Sequence, residues 1–193
     1  RLGTAKNVKA ASFHDVRRSG LIAITLEVGD SLMSVSFVSK GDDVSIVTSE
    51  GQSIRFRESD VREMGRGAMG VRGISLAKDD VVISADVVTA GSKGARIMVI
   101  SKNGYGKTTL ASEYKTQKRG GSGILTMKVT DKTGPVISAK VITEEDSELV
   151  AMSKKSQVVR VELSEIPTLG RQTQGVRVMK LREGDSLASV VCL

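Results

Sequence analysis

The 193-residue sequence is poor in several residue types at once. Aromatics make up 3% of it, tryptophan is absent, proline occurs twice, and cysteine and histidine occur once each. The single cysteine, Cys192, can close no internal disulfide and build no thiolate zinc site. The single histidine, His14, excludes every metal site that needs two imidazoles. No copy of any motif brings together His, Cys or paired carboxylates, so an enzyme built on such groups has no residues to run on. No apolar run approaches the roughly 18 residues of a membrane-crossing helix, and no signal peptide is visible. Scarce aromatics also disfavour a stacking platform for single-stranded nucleic acid.

What the chain does have is basic charge and glycine. Lys and Arg number 29 against 22 Asp and Glu, a formal net charge of +7, and there are 20 glycines. A hydrophobic content of 39% is enough for a core. The basic balance favours polyanionic partners, although by itself it fits a solvated surface equally well.

A repeat of about 50 residues organises both features. Its first landmark is a hairpin turn at Gly3, Gly51, Gly104 and Ser156, flanked by apolar runs such as residues 44–48 and 53–57. Asn103-Gly104 is a strong two-residue hairpin signal. The second landmark pairs a basic residue with glycines: Arg66-Gly-Ala-Met-Gly70, Arg119-Gly-Gly-Ser-Gly123, Arg171-Gln-Thr-Gln-Gly175 and, one residue shorter, Arg17-Arg18-Ser-Gly20. The third is an acidic turn at Asp30, Asp80 and Asp185, with Thr133 as the exception. The copies fall at residues 1–43, 44–96, 97–148 and 149–193. Each reads as four strands, the third at residues 70–76, 123–129 and 175–181, and the fourth at 81–88, 136–142 and 187–193. Four strands per copy, radially repeated, predicts an all-β, propeller-like fold whose Ala and Ser residues suit blades tapering toward an axis.

The residues from Gly51 to Ile74, the run Asn103-Gly-Tyr-Gly-Lys107, the run from Glu113 to Gly123 and the tail from Val159 to Val176 resemble the C-terminal domain of the bacterial DNA gyrase A subunit. The related topoisomerase IV A subunit shares the repeat and is the main rival within the family. The resemblance covers the whole chain and implies a β-pinwheel, a propeller whose blades exchange strands. It implies duplex DNA bent or wrapped around the outer rim in support of negative supercoiling. It implies no cofactor in this part, no membrane, and a bacterial cytoplasmic location at the nucleoid. The partners it implies are the ATP-binding B subunit together with the rest of the A subunit. The family's wrapping box, Gln-Arg-Arg-Gly-Gly-Lys-Gly, belongs to its first blade. Here Gln117, Lys118, Arg119, Gly120, Gly121, Ser122 and Gly123 form a box-like echo in the third copy, and the box itself is expected upstream of Arg1.

The candidate phosphate contacts follow the repeat. They are Lys6, Lys9, Arg17 and Arg18; Arg55, Arg57, Arg62, Arg66 and Arg72; Lys107, Lys115, Lys118 and Arg119; and Arg160, Arg171 and Arg177. Glycines beside Arg66, Arg119 and Arg171 would let backbone approach a phosphate closely. Two readings of a different class stand beside this one. A basic rim could meet an acidic protein, or the propeller axis could hold an active site, which the missing catalytic groups argue against. The run Gly104-Tyr-Gly-Lys-Thr108 ends like a phosphate-binding loop, but Ser101 stands where the first glycine is required and no helix pattern follows, so it reads as a hairpin. Cys192, in the last apolar strand, reads as a buried, inert thiol.

Overall fold

The computed structural model describes residues 1–16 and 18–193; Arg17, one of the candidate contacts, lies outside the described residues. Helical structure among the described residues amounts to single 3-10 turns at Ala10–Phe13, Glu58–Asp60, Ala111–Glu113 and Leu163–Glu165. The strands in chain order are β1 (Thr4–Ala5), β2 (Asp43–Thr48), β3 (Gln52–Arg57), β4 (Val71–Arg72), β5 (Val82–Val88), β6 (Arg96–Ser101) and β7 (Tyr105–Leu110). They continue with β8 (Ile124–Leu125), β9 (Val136–Ile142), β10 (Glu148–Ser153), β11 (Val158–Glu162), β12 (Val176–Arg177) and β13 (Leu187–Cys192).

Each of the last three copies opens with an antiparallel hairpin, β2–β3, β6–β7 and β10–β11. Their turns need a residue with positive φ, supplied by Gly51 (78°), Gly104 (81°) and Ser156 (61°). The fourth strands β5, β9 and β13 then pair with the opposite edge of β2, β6 and β10, each with a register shift at the repeat-equivalent place. These fourth strands meet across blade boundaries, β5 against β9 and β9 against β13. Small residues make that approach feasible. Ser84 donates to the Ala139 carbonyl at 2.7 Å, Ser34 donates to the Ala85 carbonyl at 2.6 Å, and Asp86 accepts from the Val141 N–H at 2.8 Å.

The third strands are where structure and sequence pattern part. Only two residues of each pair, as β4, β8 and β12, and they pair with the preceding copy: β4 with β1, β8 with β3, β12 with β7. The ladder stops because a single turn carbonyl takes two successive donors. Gly51 accepts from Thr126 and Met127, Gly104 from Val178 and Met179, and Gly3 from Gly73 and Ile74, at 2.8–3.3 Å. The resulting sheets run β5-β2-β3-β8 and β12-β7-β6-β9, with a two-stranded β1-β4 at one end and a three-stranded β11-β10-β13 at the other. At the crossing the two backbones nearly touch. A Cβ on Gly123 would lie 2.5 Å from the Ser53 carbonyl oxygen, so no other residue fits there without a shift.

The cores straddle the blades. Val47 and Val88 of the second copy pack with Ile97, Val99, Tyr114 and Met127 of the third. Met98, Ile100 and Ile142 pack with Leu149, Leu163 and Met179 of the fourth. Each such side chain contributes roughly 1.5–3 kcal/mol by leaving water, so neighbouring copies are held together by shared burial as well as by exchanged strands. Cys192 is buried in the second of these clusters, with Sγ 3.7 Å from the Met98 sulfur.

The acidic landmark is structural. Asp30, Asp80 and Asp185 accept from the turn N–H groups of Leu2, Glu50 and Lys155 in their own copies, at 2.9, 3.0 and 3.1 Å. In the third copy Thr133 replaces the acid and its backbone carbonyl accepts from Asn103 N–H at 3.0 Å instead.

Candidate nucleic-acid interface

The loop ahead of each exchanged strand hooks over the preceding blade. The third copy shows this best, because the box-like segment forms the hook. Gln117 N–H donates to the Arg55 carbonyl at 2.7 Å and Gly120 N–H to the Gly73 carbonyl at 2.6 Å, while the Gly121 carbonyl accepts from Ser75 N–H at 2.9 Å. The Arg119 guanidinium donates to the carbonyls of Asp60 (2.7 Å) and Arg72 (3.0 Å). Gly123 then crosses Ser53, while Ser122 and Lys118 face outward. Lys118 is 94% exposed, with its ammonium 3.7 Å from the Asp60 carboxylate.

The same clips recur one copy on. Arg171 donates to the Leu125 carbonyl at 3.0 Å, and the Thr173 carbonyl accepts from Lys128 N–H at 3.1 Å. One copy back, the Ala68 carbonyl accepts from Thr25 N–H at 3.4 Å. The loops therefore form a row along one edge of the molecule, each fastened to its predecessor.

This geometry divides the sequence-derived candidates. One group turns inward. Lys107 is fully buried, and its ammonium donates to the carbonyls of Gly170 and Arg171, both at 2.6 Å. Burial pulls its pKa down to about 8, Glu113 opposing and Arg171 adding to the shift. Lys6, three residues after its turn glycine like Lys107, donates to the Ala23 carbonyl at 2.9 Å and to that of Arg66. Arg55 is held by Asp43 at 2.7 Å and the Ala111 carbonyl at 2.7 Å. Arg119 and Arg171 join this group through the contacts above.

A second group is exposed but partnered. Lys9 meets Glu63 at 3.3 Å, Arg160 grips Glu148 through two nitrogens at 2.6 and 2.8 Å, and Arg177 donates to the Tyr105 hydroxyl at 3.0 Å while lying over its ring. The third group, Arg18, Arg57, Arg62, Arg66, Arg72 and Lys115, makes no side-chain hydrogen bond or ion pair among the described residues.

Residue identity alone missed Lys128. It stands nine positions after Arg119, as Lys180 stands nine after Arg171, and both are exposed on the strand side of the hooks. Arg72 and Arg177 are likewise repeat partners, six positions after Arg66 and Arg171, on β4 and β12. The signal that finds Lys128 is counting from the arginine landmark. Exposed cations thus recur at each of these two positions in two of the three later copies, Leu125 and Ser75 standing at the positions without one, beside loops rich in glycine. Such an array can position a polyanion by its backbone. Among the described residues, no three His, Cys, Asp or Glu side chains are grouped to hold a metal ion, and no helix is long and apolar enough to cross a membrane.

Comparison with known proteins agrees with this geometry. The family model for the DNA gyrase C-terminal domain, beta-propeller, matches residues 1–39, 42–89, 95–143 and 147–193. The DNA gyrase A subunit of Lawsonia intracellularis is 41% identical over 184 residues, which are 95% of this chain and 22% of that protein. Its counterpart in Mycobacterium tuberculosis is 38% identical over 192 residues, 98% of this chain and 22% of that protein. The chain therefore spans about one fifth of the length of these relatives. Among solved structures, a DNA gyrase A C-terminal domain superposes with a TM-score of 0.85 at 29% identity, over 99% of this chain and 62% of that one. A topoisomerase IV C-terminal domain superposes with a TM-score of 0.91 at 22% identity, over 100% of this chain and 59% of that one, a likeness of fold alone. With its four matched copies and its exchanged strands, the chain belongs to the DNA gyrase C-terminal domain family and has that family's β-pinwheel fold.

Proposed function

We propose that this chain binds duplex DNA along its hooked, basic rim and bends it, as the DNA-handling part of a type IIA topoisomerase of the gyrase kind. In that role it supports negative supercoiling in the bacterial cytoplasm, carried out with the ATP-binding B subunit together with the rest of the A subunit. Strand cleavage and ATP turnover are assigned to those other parts, and this part is assigned no cofactor.

The observation that carries the reading is the recurrence of exposed cations at equivalent positions of the hooks and exchanged strands: Arg72 and Arg177, Lys128 and Lys180, with Lys118 between them. Bending 20–30 bp by 40–90° costs on the order of 1–6 kcal/mol. Each phosphate neutralised releases counterions and steepens the salt dependence by about 0.9 in log–log slope. A rim held rigid by backbone clips offsets the bending cost without ordering itself at the moment of binding.

The test is the affinity of the chain for random-sequence duplex as salt rises from about 50 to about 200 mM. A steep, sequence-independent fall supports the proposal; absent binding at low salt, or affinity indifferent to salt, overturns it. Wrapping is tested separately, by relaxing circular DNA with a nicking-closing enzyme in the presence of the chain and reading the topoisomers left behind.

A further inference from the structure

The tip of each hook is a turn whose middle peptide faces one of two ways, and the side chain beneath it differs accordingly. In the fourth copy the turn closes with Thr173 N–H on the Gly170 carbonyl at 3.3 Å, and in the second with Ala68 N–H on the Gly65 carbonyl at 3.1 Å. Beneath the fourth tip, the buried Lys107 ammonium draws the carbonyls of Gly170 and Arg171 inward, both at 2.6 Å. Beneath the second, Lys6 draws in the carbonyl of Arg66. A trans peptide is planar, with its N–H opposed to its C=O. The N–H groups of Arg171 and Gln172 therefore aim away from the body, as does that of Gly67. None of the three has an acceptor among the described residues.

The third, box-like hook is built the other way. Ile54 stands where Lys6 and Lys107 stand, with Cδ1 3.7 Å from the Cβ position of Gly121, and has no donor for a carbonyl. Here the middle peptide is turned over. Gly120 N–H points inward to the Gly73 carbonyl at 2.6 Å, which sends the Arg119 carbonyl outward. That arrangement takes a positive φ at Gly120, 82°, whereas φ is not positive at Gly67 or Gln172. A cation beneath the tip thus goes with amides facing out, and an apolar side chain with a carbonyl facing out.

We infer that the fourth hook is a phosphate site made of backbone, in which the N–H groups of Arg171 and Gln172 hold one phosphodiester of a duplex and Lys107 is the residue that positions them. Successive N–H groups in a turn form a concavity suited to an anion. The exposed Lys128 stands beside it, its own N–H fastened to the Thr173 carbonyl at 3.1 Å. The second hook repeats the arrangement at Gly67, but Thr25 takes the place of Lys128, so the flanking cation is absent there. The inference rests on the DNA-binding reading and adds to it a contact that no cation supplies.

The test compares Arg171→Pro with Arg171→Ala. Both lose the guanidinium and its bond to the Leu125 carbonyl. Only proline also lacks the N–H, and its fixed φ suits the first inner position of this turn. Arg171→Pro is expected to bind random-sequence duplex about tenfold more weakly than Arg171→Ala. The salt slope should be the same for both, because a neutral donor releases no counterion, whereas Lys128→Ala lowers that slope by about 0.9. Equal affinities of the two variants would overturn the site and leave DNA binding standing.

A second measurement decides the site if the proline variant does not fold, or if the wild type binds no duplex. The isotopically labelled 193-residue chain is titrated with inorganic phosphate and its amide signals are followed. Those of Arg171 and Gln172 are expected to shift together while that of Gly120 stays in place; if neither moves, the site is refuted. Lys107→Ile combined with Gln172→Gly copies the third hook, and should abolish the shift at residue 172. A shift that survives in this variant would contradict the positioning role of Lys107.

Discussion

The ammonium of Lys107 lies 2.6 Å from the backbone carbonyl of Arg171, beneath the loop that the fourth copy lays over the third. Lys6 does the same beneath Arg66. In the second copy the equivalent residue is Ile54, which reaches no carbonyl, and the overlying loop is held from the other side by Arg119 on Asp60. The repeat thus has two ways of fastening a hook, one with a cation from below and one with a cation on the hook.

Replacing Lys107 with Ile copies the second arrangement without its compensating contact. We expect a loss on the order of 1–3 kcal/mol, because two carbonyls lose their donor. A pH signature should accompany it. The folded pKa is about 8, below the ordinary 10.5, so between those values the unfolded chain binds more protons than the folded one. Stability of the wild type relative to K107I therefore rises with pH through that window. The neutral amine still has two N–H donors for its two carbonyls, so the hook stays fastened. Urea melts at pH 7 and pH 10 measure the difference, and a gap that is flat in pH would refute the assignment.

Alanine at Arg72, Lys118, Lys128 or Arg177 should weaken duplex binding by a similar factor on any sequence, and lower the salt slope by about 0.9 each. Fluorescence anisotropy at several salt concentrations reads both quantities. A loss confined to one DNA sequence would speak against phosphate positioning.

Lys118 and Arg119 are neighbours with opposite duties. Arg119→Ala should lower stability by about 1–2 kcal/mol, since two backbone carbonyls lose a charged donor. Lys118→Ala should stay within about 0.5 kcal/mol of wild type, its ammonium side chain being 94% exposed and 3.7 Å from the carboxylate. Thermal melts distinguish them, and equal losses would contradict the division of roles.

Glycine substitutions separate backbone strain from close approach. Gly91 has φ 74° and nothing within 4 Å of its Cβ position, so Gly91→Ala should cost only the left-handed penalty of about 1–2 kcal/mol. Gly123 has φ 77° and also the Ser53 carbonyl oxygen at 2.5 Å, so Gly123→Ala should cost more than twice as much or abolish folding. Melting temperatures of the two variants decide it.

The strands and the repeat are legible in the chain because hairpin turns, alternating apolar residues and glycine landmarks are local signals. The apolar run at residues 136–142 coincides with β9 to the residue. The third strands alternate over seven residues in the sequence but pair over two, because their length is set by where Gly3, Gly51 and Gly104 capture the chain, a contact with another copy. The division of the cations is not legible either. Lys107 alternates along β7 as any strand residue would, and only the loop of a later copy makes it a buried anchor. Charge near glycine marks the right loops without saying which ammonium points into them.

Because every complete sheet borrows its last strand from the following copy, and each core is shared across a boundary, no single copy is a unit of folding. Pulled apart from its ends, the chain would yield in steps that each span parts of two repeats. A gene that gained or lost a copy would keep the fold only if the cut points fell at matching places in successive repeats, so that every strand lent still found a borrower.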